Sequence, residues 1–231
     1  MVISGLQKTT LIDYPGNIAC TVFTYGCNFR CPFCHNPELV IKSPAKVIEE
    51  REFFKFLKTR KNMLDGVVIT GGEPFIHTDL LEFVKKIKNE SFLVKIDTNG
   101  SFPERLEKLL KEKVVNYVAM DIKSGLEEYG NITGGFTDVK KILESIKILK
   151  NSNIDYEFRT TVVKGLHKKK NIEEIGKLLK GAKNFSLQNF KSGKSISNEF
   201  SKKNEFSKVE LEEFEKILRK YIQNITIKNI Y

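Results

Sequence analysis

Tryptophan is absent from the chain, and cysteine is scarce: four residues in 231. Three of the four, Cys27, Cys31 and Cys34, fall in one short stretch, too few and too clustered for a disulfide framework. Long apolar runs are missing too, and no segment approaches the roughly 20 residues of a membrane span. The opening MVISGLQKTT lacks the basic, apolar, small-residue succession of an export signal. These absences predict a soluble cytoplasmic protein with reduced thiols and no membrane partner. Linkers, low-complexity segments and charge blocks are lacking as well, so residues 1–231 read as one domain. Acidic residues are in deficit, 29 against 39 Lys and Arg, for a formal charge of +10. Such a surplus favours acidic partners. The lysines are spread over solvated helix faces, with no basic block interleaved with aromatics, which argues against nucleic acid as the reason for the charge.

What is present alternates. Short β-branched runs occur at 18–25, 66–70, 92–97, 114–122, 154–163 and 183–190. Between them lie VIEEREFFKFLKTR, DLLEFVKKIKN, PERLEKLLKEK, TDVKKILESIKILKN and NIEEIGKLLKG, with LEEFEKILRKYIQN after the sixth, all with apolar residues at helical spacing. Alternation of this kind predicts parallel strands joined by crossover helices. Six units are fewer than the eight of a closed barrel. The fold class expected is α/β, an open, partial TIM-like (β/α)6 barrel, with a doubly wound sheet as the alternative. The polar signals CNFRCPFC, GGEP, DTNG, DIK and VKGLH each close or follow one of the first five runs. All sit at strand C-termini, the end where such folds place their sites.

Thiolates spaced C-x3-C-x2-C on a loop can converge on one soft metal centre. Cys20 would lie roughly 15 Å away along its strand, at the wrong end, and reads as a small buried apolar residue. His35 could complete a Cys3His zinc site, although it directly follows Cys34 and adjacent ligands strain to meet one tetrahedral ion. A four-iron cluster with three cysteine-ligated irons and one left open explains why the count stops at three.

CNFRCPFC, with Phe33 just before the last cysteine, resembles the signature of the radical S-adenosylmethionine (SAM) superfamily, and GGEP matches its second signature. The resemblance extends through GLQKTTLIDYPG, TYGCNFRCPFCHNPELV, VVITGGEPF, IDTNGS, MDIKS, YEFRTTVVKGLH and LQNFKSG. These stretches are similar to the short activating enzymes of glycyl-radical proteins, in particular activators of the anaerobic ribonucleoside-triphosphate reductase.

The resemblance implies a [4Fe-4S] cluster held by Cys27, Cys31 and Cys34, with SAM chelated at the open iron and cleaved reductively to methionine and a 5′-deoxyadenosyl radical. It also implies the SAM-binding set. Phe33 shields the cluster or the adenine. Gly71 and Gly72 admit close backbone approach. Glu73 accepts from the SAM ammonium. Asp97, Thr98 and Asn99 offer oxygens beside it, and a monovalent cation is expected near Asp97, Thr98 and Asp121. Lys123 pairs with the methionine carboxylate, and Arg159 contacts SAM. Gln188 or Asn189 stands where some relatives carry a histidine near the ribose. His77 and His167 are loop residues of the same face. The partner implied is a glycyl-radical enzyme, and the 36 positions between Cys34 and Gly71 hold no further cysteine, so electrons are expected from an external flavodoxin or ferredoxin. Two alternatives stay open on the residues alone: a radical SAM enzyme acting on tRNA or a nucleoside, and a non-catalytic zinc module.

Overall fold

The computed structural model describes residues 1–41, 47–135 and 137–228. One sheet runs through them in the order β1 (Ile3–Thr10), β2 (Ala19–Thr24), β3 (Gly66–Gly71), β4 (Leu93–Thr98), β5 (Tyr117–Asp121), β6 (Asp155–Val162), β7 (Asn184–Asn189) and β8 (Asn224–Lys228). Strands β2 to β8 are parallel, and β1 pairs antiparallel with β2. The six expected strands are all present. Two more, β1 and β8, extend the sheet at its edges, and no ladder among the described residues joins those edges.

The helices are α1 (Pro37–Val40), α2 (Glu50–Lys58), α3 (Leu80–Asn89), α4 (Pro103–Lys111), α5 (Tyr129–Thr133), α6 (Val139–Lys150), α7 (Lys169–Leu178) and α8 (Lys208–Leu218). Crossovers between successive parallel strands run through α2, α3, α4, α6, α7 and α8. Each is amphipathic at the spacing that one buried stripe requires: α3 buries Leu80, Phe83, Val84 and Ile87. At α6 and α8 the entry point is set by side chains. Asp138 accepts from the Lys140 amide to start α6, and Ser207 and Glu210 cap α8 reciprocally. Among the described residues, no helix is long and apolar enough to cross a membrane.

Strand alternation divides the sheet into two faces. Cys20, Val22, Val67, Ile69, Val94, Ile96, Val118, Met120, Phe185 and Leu187 join the helical core. The reading of Cys20 as a buried apolar residue therefore holds. The concave face is apolar at its base, where Tyr14, Ala19 and Val68 cluster with Leu93 and Tyr117. Towards the strand C-termini it becomes charged, through Lys95, Asp97, Asp121, Glu157 and Arg159. Register puts Asp121 directly opposite Arg159 on the neighbouring strand. A layer of charge inside a small sheet is stable only where every member has a partner.

Candidate active site

The loop after β2 carries the three cysteines and is tied down on several sides. The Gly26 amide donates to Leu39 O at 2.7 Å, Arg30 N to Thr133 O at 2.8 Å, and Ser197 N to Pro32 O at 2.9 Å. Phe33 is buried, with edge contacts to His167, Phe190 and Phe200 at centroid distances of 6.4–6.5 Å. It anchors the loop to the β6 and β7 ends as well as lining the cavity. Asn99, from the turn after β4, reaches across to donate to Cys27 Sγ at 3.9 Å and to Asn28 Oδ1 at 2.9 Å. Asn28 in turn donates to Ser101 Oγ at 2.9 Å. Asn28 and Ser101 were not singled out by motif, because their link is formed between two loops distant in sequence.

The GGE turn is fastened to the same loop by backbone. Gly72 N donates to Thr24 O at 2.9 Å, and Glu73 N to Gly26 O at 2.7 Å. Gly71 has φ +112°, and a Cβ there would stand 2.5 Å from Thr24 N. Only glycine fits both the conformation and the space.

A cavity of about 210 Å³ opens over this loop, lined by Cys27, Cys31, Cys34, Gly71, Gly72 and Glu73 from its near side. Asp97, Thr98, Asn99, Asp121, Lys123 and Arg159 line the far side, with Phe33, His35 and Thr161 at its wall. Thirteen of the fourteen predicted site residues thus meet in one hollow. The exception, Gln188, accepts from Thr161 Oγ1 at 3.2 Å and lines an adjoining hollow that shares His35 and Thr161. Asn189 is spent on structure, bonding both Phe206 N and Phe206 O. His77 bonds Tyr25 O at 2.9 Å through Nε2. His167 accepts from Val163 N at 3.0 Å through Nδ1 and, with its proton on Nε2, donates to Lys123 O at 2.9 Å. It braces the segment that carries Lys123.

Electrostatics sort these groups. Burial pushes the Glu73 carboxyl up to about 7, against three donors that favour its ionised form, namely Asn99 N, Phe75 N and Thr98 Oγ1. Burial would also raise Asp121, but the charges of Arg159 and Lys123 reverse it and hold the group below the usual carboxylate range. Asp97 behaves alike, its burial outweighed by Arg159 and Lys95. Burial would lower Lys123, and the Asp121 charge more than restores it. At neutral pH the two aspartates are ionised and their partners are cationic. Burial lifts the Cys27 thiol to about 12 and Cys31 to about 11, so binding of a metal centre there must release protons.

The donor set suits some of the expected cofactors and not another. Among the described residues no group of three or more His, Cys, Asp and Glu is placed to hold a metal ion. His35 stacks on Phe190 at a centroid distance of 4.7 Å rather than closing a tetrahedron with the thiols. Three soft thiols round a hollow fit a larger iron–sulfur centre with one iron left to a ligand. The hollow's carboxylates, ammonium and guanidinium fit the zwitterionic end of SAM. The expected monovalent cation does not fit. Thr98 Oγ1 donates to Glu73 Oε1 at 2.8 Å and accepts from Gly100 N at 3.1 Å, while Asp97 and Asp121 already bond protein cations on all four oxygens.

Known proteins resemble this chain in sequence and in fold. A Methanocaldococcus jannaschii protein classed provisionally as a glycyl-radical enzyme activating enzyme is 35% identical over 99% of this chain and 96% of its own. The pyruvate formate-lyase-activating enzyme of Clostridium pasteurianum is 31% identical over 79% of this chain and 77% of its own. The crystal structure of QueE from Escherichia coli superposes with a TM-score of 0.59 at 17% identity, covering 99% of this chain and 93% of that one, a likeness of fold alone. A sequence profile of the radical SAM superfamily matches residues 21–180. That span takes in the cysteine loop, the GGE turn and the strand ends through β6, and on it this chain belongs to the radical SAM superfamily.

Proposed function

We propose that this radical SAM enzyme removes one hydrogen atom from a glycine of a partner protein, leaving a glycyl radical, and that the partner is of the anaerobic ribonucleotide reductase kind. The full-length likeness to a provisional glycyl-radical activating enzyme is the observation that carries the activase reading, the likeness to a pyruvate formate-lyase-activating enzyme supports it, and the reductase as partner rests on the motif resemblance of the sequence.

When bound by Cys27, Cys31 and Cys34, the cluster supplies the electron that splits SAM into methionine and a 5′-deoxyadenosyl radical. The remaining work belongs to this chain's own residues, and it is positioning and exclusion of water. Glu73, ionised on meeting a cation, takes the SAM ammonium. Lys123 and Arg159 face the methionine carboxylate, each held in place by Asp121. Gly71 and Gly72 let the backbone come close to the ligand. Asn99 keeps Cys27 in register with the turn after β4. Gln188, at the edge of the adjoining hollow, offers its amide to a ribose hydroxyl, and Phe33 walls off solvent. An external one-electron donor, a flavodoxin or ferredoxin, completes the cycle, and the +10 surface suits the encounter with an acidic protein.

The test is anaerobic reconstitution with iron and sulfide, followed by SAM, reductant and a candidate glycyl-radical protein. An EPR doublet from a carbon-centred radical on the partner is the expected result. SAM cleavage with every candidate partner silent, together with hydrogen abstraction from tRNA or a nucleoside, would replace this reading with the nucleic-acid one.

A further inference from the structure

We infer that the buried side chain of Lys95 stands in for an inorganic cation in this site, so that the enzyme handles SAM without sodium or potassium. The inference rests on the SAM reading of the cavity. Lys95 lies on the concave face of β4, two residues before Asp97 and therefore on the same side of the strand. Its side chain is 2% exposed, and its ammonium bonds Asp97 Oδ1 at 2.5 Å. The ammonium also lies 5.8 Å from the centroid of the Tyr117 ring, its register partner on β5.

The pairing of each carboxylate oxygen decides the matter. Asp97 and Asp121 supply two negative charges. Lys95, Arg159 and Lys123 supply three positive ones, at 2.5–3.1 Å. No oxygen of either aspartate is left without a protein cation, and Glu157 in the same layer is paired with Lys228 at 3.5 Å, so a further ion would have to displace one of these partners. Lys95 does what a bound ion would do: it neutralises Asp97, fixes the carboxylate's orientation and thereby fixes the Arg159 guanidinium that bridges to Asp121. A compact ammonium with three donors is the side chain closest to a hard monovalent ion. Because it is tethered to the strand, it has no occupancy to lose. Lys95 does not line the cavity, so it acts through Asp97 as a positioning residue.

The test uses the cluster-loaded enzyme and measures SAM affinity by calorimetry in sodium, potassium and tetramethylammonium chloride at equal ionic strength. The expected result is one affinity in all three, within about twofold. A tenfold loss in tetramethylammonium that sodium or potassium restores overturns the inference and leaves the SAM reading intact. In Lys95→Ala, binding is expected to weaken at least tenfold in tetramethylammonium and to recover in part with potassium or ammonium. A loss that no cation restores assigns Lys95 to packing and overturns the inference. Should the variant not fold, sodium-23 relaxation on the unaltered enzyme decides: no broadening that potassium competes away supports the inference, and competed broadening overturns it. Absence of SAM binding in every salt removes the SAM reading instead, and the sodium measurement on the same protein still reports on Lys95.

Discussion

Gly72 lies so close to Gly26 that a Cβ on Gly72 would stand 1.8 Å from the Gly26 carbonyl oxygen. That oxygen also accepts from the Glu73 amide at 2.7 Å. The turn bearing Glu73 and the loop bearing the cysteines therefore touch backbone to backbone, with no side chain between them that could yield. Gly72→Ala should force them apart. Overpacking of this kind costs about 1–3 kcal/mol, and here the displacement falls on Cys27. The expected outcome is a lower denaturation midpoint and less iron retained after reconstitution, measured by anaerobic unfolding and metal analysis. Full iron content with unchanged stability would show that the contact relaxes freely.

Arg159 holds two carboxylates apart and in place. Its Nε donates to Asp121 Oδ1 at 2.8 Å and its terminal nitrogen to Asp97 Oδ2 at 3.1 Å. Arg159→Met leaves both acids facing each other with one lysine each, and breaking a buried pair in this way costs about 3–5 kcal/mol. Arg159→Lys keeps the charge but cannot span both acids. It is expected to retain most of the stability and to weaken SAM binding at least tenfold by calorimetry. Equal SAM affinity in Arg159→Lys and the parent would refute a positioning role for the fork.

Glu73 gives the pH dependence a definite sign. Its carboxyl titrates near 7 in the fold against 4.5 for an ordinary glutamate. The folded state holds the proton more tightly, so this group's contribution is present below about pH 4.5 and is lost as pH rises through about 7. Asp97 and Asp121 are shifted downward, so theirs is present above the ordinary aspartate range and is lost only in stronger acid. Burial lowers His35, His77 and His167, which oppose Glu73 in the same window. The comparison must therefore be with Glu73→Gln, where the histidine contributions cancel. Relative to that variant, the cofactor-free parent should lose up to roughly 3 kcal/mol between mildly acid and neutral pH. A stability difference that stays flat with pH would rule out a buried, proton-holding Glu73.

His167 tests whether a residue outside the SAM-binding set shapes it. The imidazole satisfies Val163 N and Lys123 O, two backbone groups that truncation would leave without it. His167→Ala is expected to cost about 2–4 kcal/mol, the sum of two lost partners. It should also weaken SAM binding through Lys123 while leaving the iron content of the reconstituted enzyme unchanged. Loss of iron in step with SAM affinity would point to general unfolding.

Much of this was legible in the chain, for physical reasons that also explain the gaps. The parallel strands announce themselves as apolar runs because both of their faces are covered, and the site residues because strand C-termini collect them. Strand β1 did not, since ISGLQKTT packs at a sheet edge where three successive residues, Gln7 to Thr9, are exposed. NITIK in β8 is equally half-covered. Lys95 was hidden inside the run FLVKID, where one lysine among apolar residues suggests an outward side chain. The available signal was its position two before Asp97, which puts ammonium and carboxylate on one face. The contact of Gly72 with Gly26 had no signal in either segment, because it exists only once the loops are brought together.

Among the described residues, the sheet that begins at β1 and stops at β8 has no ladder hooping its circumference. A closed barrel fixes its bore through strand number and stagger, whereas a sheet with two loose margins can widen or narrow at the seam without surrendering a single rung of its ladders. Above the cysteines the span is bridged by loop contacts instead, Ser197 N to Pro32 O at 2.9 Å and His35 stacked on Phe190 at 4.7 Å. Under the proposed function, a partner's glycine-bearing segment that enters there meets those few loop contacts rather than a closed ring of strand ladders.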